Sequence, residues 1–96
     1  MRVAFDIDGT LLDDADAPRY DVVALLHSLQ ALGAEIFIWS GGGIPYAQRW
    51  VERLGLNGVK IAAKWSIDVD LAIDDLAGEE AVKLPAKVVF RINNRC

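Results

Sequence analysis

Two aspartates with one residue between them close an apolar run, Asp6 and Asp8 in VAFDIDGTLL (residues 3–12). Carboxylates at the end of a buried strand are costly unless a cation or a reaction makes use of them. They can serve there as a nucleophile, as a general acid and base, or as oxygen ligands of a hard metal ion. Three further apolar runs also end on polar groups: IFIWS on Ser40, IAAK on Lys64, and LAIDD on Asp74 and Asp75. Ser40 opens into Gly41, Gly42 and Gly43, and consecutive unencumbered amides of this kind suit an anion. Acid, hydroxyl, amine and acid are thus set at the ends of four runs.

For those residues to meet, the runs must be neighbouring strands. Arg2 to Asp6 reads as a strand, and Val22, Leu25, Leu26, Leu29 and Leu32 then recur at helical spacing until Gly33. That spacing predicts a helix of about three turns. Glu35 to Trp39 reads as a second strand. Tyr46, Ala47, Trp50, Val51 and Leu54 share one helical face, with Gln48, Arg49, Glu52 and Arg53 opposite and Gly55 as the stop. Val59–Ala63, Leu71–Ile73 and Val88–Phe90 are further strands, with a short helix around Glu79–Leu84 ended by Pro85. Strands alternating with helices imply an α/β fold: a Rossmann-like parallel sheet of about five strands, helices on both faces. Such sheets bind ligands beyond the carboxyl ends of their strands, where all four polar termini would lie.

Ninety-six residues make a single domain, 1–96, and a 53% hydrophobic content argues for a packed core rather than disorder. No apolar stretch approaches the roughly 20 residues a membrane-spanning helix needs, so no membrane partner is expected. MRVAFD does not read as a signal peptide, and the expected location is cytoplasmic. Cys96 is the one cysteine and offers only a terminal thiol. A net charge of −4 disfavours polyanionic partners. His27 falls on the polar side of the first helix, and Asp13, Asp14 and Asp16 read as a solvated loop. Trp39, Trp50 and Trp65 read as core or rim.

VAFDIDGTLL, Ser40, Lys64 and the Asp74–Asp75 pair resemble the four motifs of the haloacid dehalogenase (HAD) superfamily of phosphohydrolases, in the family's order and across essentially the whole chain. The first motif is the specific part. The acid pair about 65 residues later strengthens it, whereas Ser40 and Lys64 taken alone are weak signals. The resemblance implies a single HAD-like phosphatase domain that hydrolyses a phosphomonoester through an aspartyl-phosphate. In it Asp6 would attack phosphorus as a carboxylate nucleophile, and Asp8 would protonate the leaving oxygen and then take a proton from water. Gly9 would allow a sharp turn, with Thr10 capping or bracing it. Magnesium is the implied cofactor. Its ligands would be the Asp6 carboxylate, the Asp8 carbonyl and the Asp74 carboxylate, with Asp75 behind them. Ser40, the Gly41 amide and Lys64 would bind the phosphoryl oxygens.

Plainer readings stand beside these roles. Ser40 is also an ordinary turn residue, Asp74 and Asp75 also read as a strand exit or helix N-cap, and Lys60 competes with Lys64. Only about seven residues separate Lys64 from the next strand, fewer than the dozen or so of a usual parallel crossover. At roughly 3.3 Å per residue they still span several strands about 4.8 Å apart, so a bare crossover without a helix is expected. The family inserts its lid domains after the first motif or after the third strand. Both gaps are short here, which makes the chain a capless minimal member with a site open to large phosphorylated substrates. Ile44, Pro45, Tyr46 and Trp65 would rim that site. A weak homodimer or a substrate-contacting surface including Tyr46 and Trp65 is expected.

Two alternatives remain. DVDLAIDDL and the short cap also resemble the phosphatase half of polynucleotide kinase-phosphatases, which act on 3'-phosphate ends of nucleic acid. That branch carries a basic residue where this chain has Gly42, and acidic Asp13, Asp14 and Asp16 would repel a phosphate backbone. The other alternative is a HAD-like binding or interaction module with little turnover, favoured by the small size and truncated crossover.

Overall fold

Five parallel strands in the order β3-β2-β1-β4-β5 form one sheet in the computed structural model, which describes residues 1–76 and 79–92. Cys96 lies outside the described residues. The strands are β1 (Arg2–Phe5), β2 (Glu35–Ile38), β3 (Lys60–Ile61), β4 (Val69–Asp74) and β5 (Ala86–Arg91), and the helices are α1 (Tyr20–Ala31), α2 (Ile44–Leu54) and α3 (Glu79–Val82). The expected α/β architecture is present, and no inserted domain interrupts the chain after β1 or after β3.

β1 sits at the centre, and Val3, Ala4 and Phe5 are fully buried, as a strand covered on both faces requires. Phe5 is in register with Ile38 of β2 on one side and Ile73 of β4 on the other. Sequence order runs outward from β1 through β2 to β3, then restarts on the far side of β1 at β4. The strand order therefore reverses between β1 and β4, and the crevice at such a reversal is where open sheets of this kind bind ligands.

The two faces are clothed unequally. On the first, Val3, Phe5, Ile36, Ile38 and Ile73 pack against Val22 and Leu26 of α1 and Ala47 of α2. On the second, Ala4, Phe37, Trp39, Ala62, Ala72 and Leu84 cluster with Ile67 and Leu76, residues drawn mostly from strands and loops. The segment before β5 brings Leu84 to this second face, and α3 is only four residues long. The link from β3 to β4, residues 62–68, contains no helix and crosses two strands as coil. At the β5 edge Val88 and Phe90 remain exposed.

Several boundaries differ from the sequence reading. β3 keeps only two residues of the run Val59–Ala63, because an edge strand is assigned only where it meets β2, at Phe37–Lys60 and Ile38–Ile61. Leu32 lies beyond α1 and is exposed, since the chain turns at Gly33 (φ 93°). Asp6 and Trp39 fall one residue past their strands, yet the Asp6 amide still donates to the Ile73 carbonyl and that of Trp39 to Phe5.

Candidate active site

At the β1–β4 crevice Asp6 leaves β1 and Asp74 ends β4, both buried, and Asp75 follows half-buried. One carboxylate oxygen from each lies within 4.8 Å of the others. Lys64 enters from the start of the bare crossover, its side chain only 6% exposed. Its ammonium lies 3.2 Å from Asp6 Oδ1 and 2.9 Å from Asp74 Oδ2. Asp74 Oδ1 accepts the Leu76 amide at 3.1 Å, while Oδ2 is buried with no aligned hydrogen bond beyond that ion pair. Two buried carboxylates share the Lys64 ammonium, and a third carboxylate oxygen lies close beside them. A hard divalent cation fits that donor set, and Asp74 Oδ2 is the atom that most needs it.

The electrostatics follow from this crowding. Burial, reinforced by the charge of Asp74, pushes the Asp6 carboxyl up to about 7 against the pull of Lys64. Burial and Asp74 also raise Asp75. Burial alone would lower Lys64, but the charges of Asp6 and Asp74 more than offset it and hold the ammonium above its usual range. Between the unfolded Asp6 value of 3.8 and about 7 the folded chain keeps a proton that the unfolded chain has lost, so stability falls as pH rises. In chelator, the melting temperature at about pH 8 should lie below that at about pH 5, a window above the titration of Glu35 and Asp70, whose carboxyls are held below their usual range by Lys60 and by the Arg2 amide. Millimolar magnesium should raise the melting temperature most at the higher pH. A flat melting temperature across the window, with or without magnesium, would remove the charge crowding from the account.

Ser40 lies two residues past the neighbouring β2 and is buried; its Oγ accepts the Gly42 amide at 3.0 Å. Gly41 is exposed. Ser40 and Gly41 therefore stand one strand away from Asp6, at the same edge and just before the amino end of α2. Pro45 is accepted in the first turn of α2, where its missing N–H costs nothing. Lys60 is excluded from the crevice: its ammonium meets Glu35 Oε2 at 2.6 Å, at the other end of β2.

Asp8 follows Asp6 on a turn, in which the Thr10 and Leu12 amides both donate to the Ile7 carbonyl. Gly9 has φ 79°, a conformation that favours glycine. Ile7 is buried in the core and Asp8 is exposed, outside the three-carboxylate cluster. Its Oδ1 accepts the Tyr46 hydroxyl at 2.7 Å. Tyr46, expected at the rim, is thus tied to Asp8. Among the described residues the buried Thr10 hydroxyl has no hydrogen-bond partner, so the capping or bracing expected of it is not seen, and backbone bonds hold the turn. Asp13 organises its loop, accepting the Ala15 and Ala17 amides, while Asp14 and Asp16 are exposed.

A family model for haloacid dehalogenase-like hydrolases matches residues 3–69. The chain belongs to that family. The matched span takes in Asp6, Asp8, Ser40, Gly41 and Lys64, whereas Asp74 and Asp75 lie beyond it and rest on the geometry above. No curated protein and no solved structure matches the chain. Among the described residues no helix is long and apolar enough to cross a membrane. A hollow of about 400 Å³ lined by Asp68, Val69 and Leu84–Lys87 lies at the opposite, amino end of β4 and β5. It gathers no set of convergent acids and amines, so the crevice at the carboxyl edge remains the candidate active site of this hydrolase.

Proposed function

We propose that the chain is a magnesium-dependent phosphatase that hydrolyses a phosphomonoester through an aspartyl-phosphate on Asp6. The observation that carries this reading is the buried ammonium of Lys64 between Asp6 and Asp74, with Asp75 completing a three-carboxylate cluster at the strand-order reversal. The Asp6, Asp74 and Asp75 carboxylates and the Asp8 carbonyl would hold magnesium. The ion would neutralise the acids and polarise the phosphoryl oxygens.

The remaining steps belong to the chain's own residues. An Asp6 carboxylate oxygen attacks phosphorus, and the bond from phosphorus to the leaving oxygen breaks. Asp8 gives its proton to that oxygen. Water then attacks the acyl phosphate, Asp8 takes the water's proton, and inorganic phosphate departs with the Asp6 carboxylate restored. Lys64, the Ser40 hydroxyl and the Gly41 amide hold the phosphoryl oxygens as charge grows on them. The absence of an inserted domain favours substrates larger than the phosphate itself. Trp65 and Ile44, 52% and 45% exposed at the same edge, offer an apolar surface for such a substrate or for a second copy in a weak dimer. A cytoplasmic setting accords with this reading.

The first test is turnover of an aryl phosphate in millimolar magnesium. Asp8→Asn should slow it by roughly 100-fold or more, because asparagine cannot take the proton of the water that hydrolyses the acyl phosphate. The same variant should keep the thermal shift given by magnesium, since its main-chain carbonyl is unchanged. Full activity in Asp8→Asn would sink the acid/base role, and absent turnover in the parent protein would leave the reading of a binding module.

A further inference from the structure

Building on the phosphatase reading above, we infer that Tyr46 is a positioning residue: its hydroxyl fixes the Asp8 carboxylate for proton transfer to the leaving group, and Gly42 makes room for it. Asp8 sits on an exposed turn, and no inserted domain follows β1 or β3 to hold it from above. An unrestrained aspartate there samples several staggered rotamers, of which only those directed at the leaving oxygen are productive. The 2.7 Å bond from Tyr46 selects among them. An O–H donor on a carboxylate makes one of the stronger hydrogen bonds available to a side chain. With Oδ1 engaged as acceptor, the transferable proton resides on Oδ2. It passes to the leaving oxygen as the phosphorus–oxygen bond breaks, and the water's proton returns to Oδ2 in the second half. Tyr46 acts only as a hydrogen-bond donor and keeps its own proton throughout.

An independent observation concerns Gly42. A Cβ there would come within 3.1 Å of the Tyr46 ring atoms Cγ and Cδ2. The φ of Gly42 is outside the left-handed region, unlike that of Gly43. Its backbone thus has no need of glycine, but the aromatic ring lying against it does. The Gly42 amide also donates to Ser40 Oγ. One short loop therefore connects Ser40 to the ring that orients the acid, and Gly42, where the polynucleotide phosphatase branch carries a basic residue, is explained by the tyrosine it accommodates.

The test compares two phosphates that differ in their need for a proton. Nitrophenolate leaves without one, whereas the alkoxide of glycerol phosphate requires it. In Tyr46→Phe the ratio of kcat/KM on p-nitrophenyl phosphate to kcat/KM on glycerol phosphate, which covers only the steps up to departure of the leaving group, should rise about tenfold over the parent, part of the general-acid contribution. Gly42→Ala forces the ring to give by a few tenths of an ångström and should move the ratio the same way by less. A readout free of turnover is the ¹³Cζ resonance of labelled tyrosine: of the two tyrosines, Asp8→Ala should shift Tyr46 and leave the exposed Tyr20 in place. Equal losses on both phosphates in Tyr46→Phe, or an unshifted Tyr46 resonance, would overturn the positioning role while leaving the phosphatase reading intact. A parent protein that hydrolyses neither phosphate in magnesium overturns both.

Discussion

Asp6→Asn should abolish turnover and phosphoenzyme formation and, in the absence of magnesium at about pH 8, melt at a higher temperature than the parent. The two effects have opposite signs because they share one cause. Asp6 is buried beside Asp74, and burial with that neighbouring charge holds its carboxyl up at about 7, so ionising it in the folded chain costs free energy. The function read here needs the ionised form as nucleophile. Asparagine removes the charge and keeps the shape, and its oxygen can still accept from Lys64. Turnover should fall on the order of a thousandfold or more, the scale seen when a covalent nucleophile is deleted. The gain in stability should be on the order of 2 kcal/mol, from the few pH units over which the folded and unfolded Asp6 differ in protonation. Acid-quenched protein incubated with labelled phosphate donor, and melts in chelator at both ends of the pH window, check the two halves. Label retained on the asparagine variant would remove the covalent mechanism, and a lower melting temperature would mean that Lys64 already satisfies Asp6.

Lys64→Met should do the reverse to the fold. Among the described residues the lysine is the one cation seen between Asp6 and Asp74, at 3.2 and 2.9 Å, with its side chain almost fully buried. Methionine fills the volume but leaves two buried acids facing each other. Deleting one partner of a buried ion pair costs about 3–5 kcal/mol, a large share of the roughly 5–15 kcal/mol that holds a domain folded. For a chain of this length that is a drop of about 15 °C or more in melting temperature in chelator. Magnesium should recover part of it by drawing the carboxylates together, yet turnover should stay down about 100-fold because the phosphoryl oxygens have lost a donor. Melting curves with and without magnesium, alongside the aryl phosphate assay, separate the two roles. An unchanged melting temperature in chelator would show that the ion pair contributes nothing to the fold.

What the sequence made legible was mostly the edge. Asp6, Ser40, Lys64 and Asp74 each follow an apolar run, and parallel strands bring such run ends to the same side whatever their order. The bare crossover was legible from its length alone. Register was not. Whether Lys60 or Lys64 reaches the crevice depends on where β3 meets β2, and pairing Lys60 with Phe37 sends its ammonium to Glu35 instead. The Tyr46–Asp8 bond joins residues 38 positions apart on a turn and a helix start, and no periodicity links them. The nearest signal was Gly42, whose spacing to Tyr46 becomes meaningful only once the ring is seen against it. Trp65, at φ 68°, holds a left-handed backbone that its residue type gives no reason to expect.

The unequal clothing of the sheet carries over into how the molecule breathes. β1 and β2 lie under α1 and α2 on one face, while the second face relies on Ile67, Leu76 and Leu84, and β5 leaves Val88 and Phe90 in solvent. Amide hydrogens in β4 and β5 should therefore exchange through partial openings that leave β1 and β2 closed, since openings start where least apolar surface is covered. Asp6 belongs to the slow side of that boundary and Asp74 to the fast side. An ion held by both would be a stitch across the seam, making the loosely covered half open only when the whole domain does.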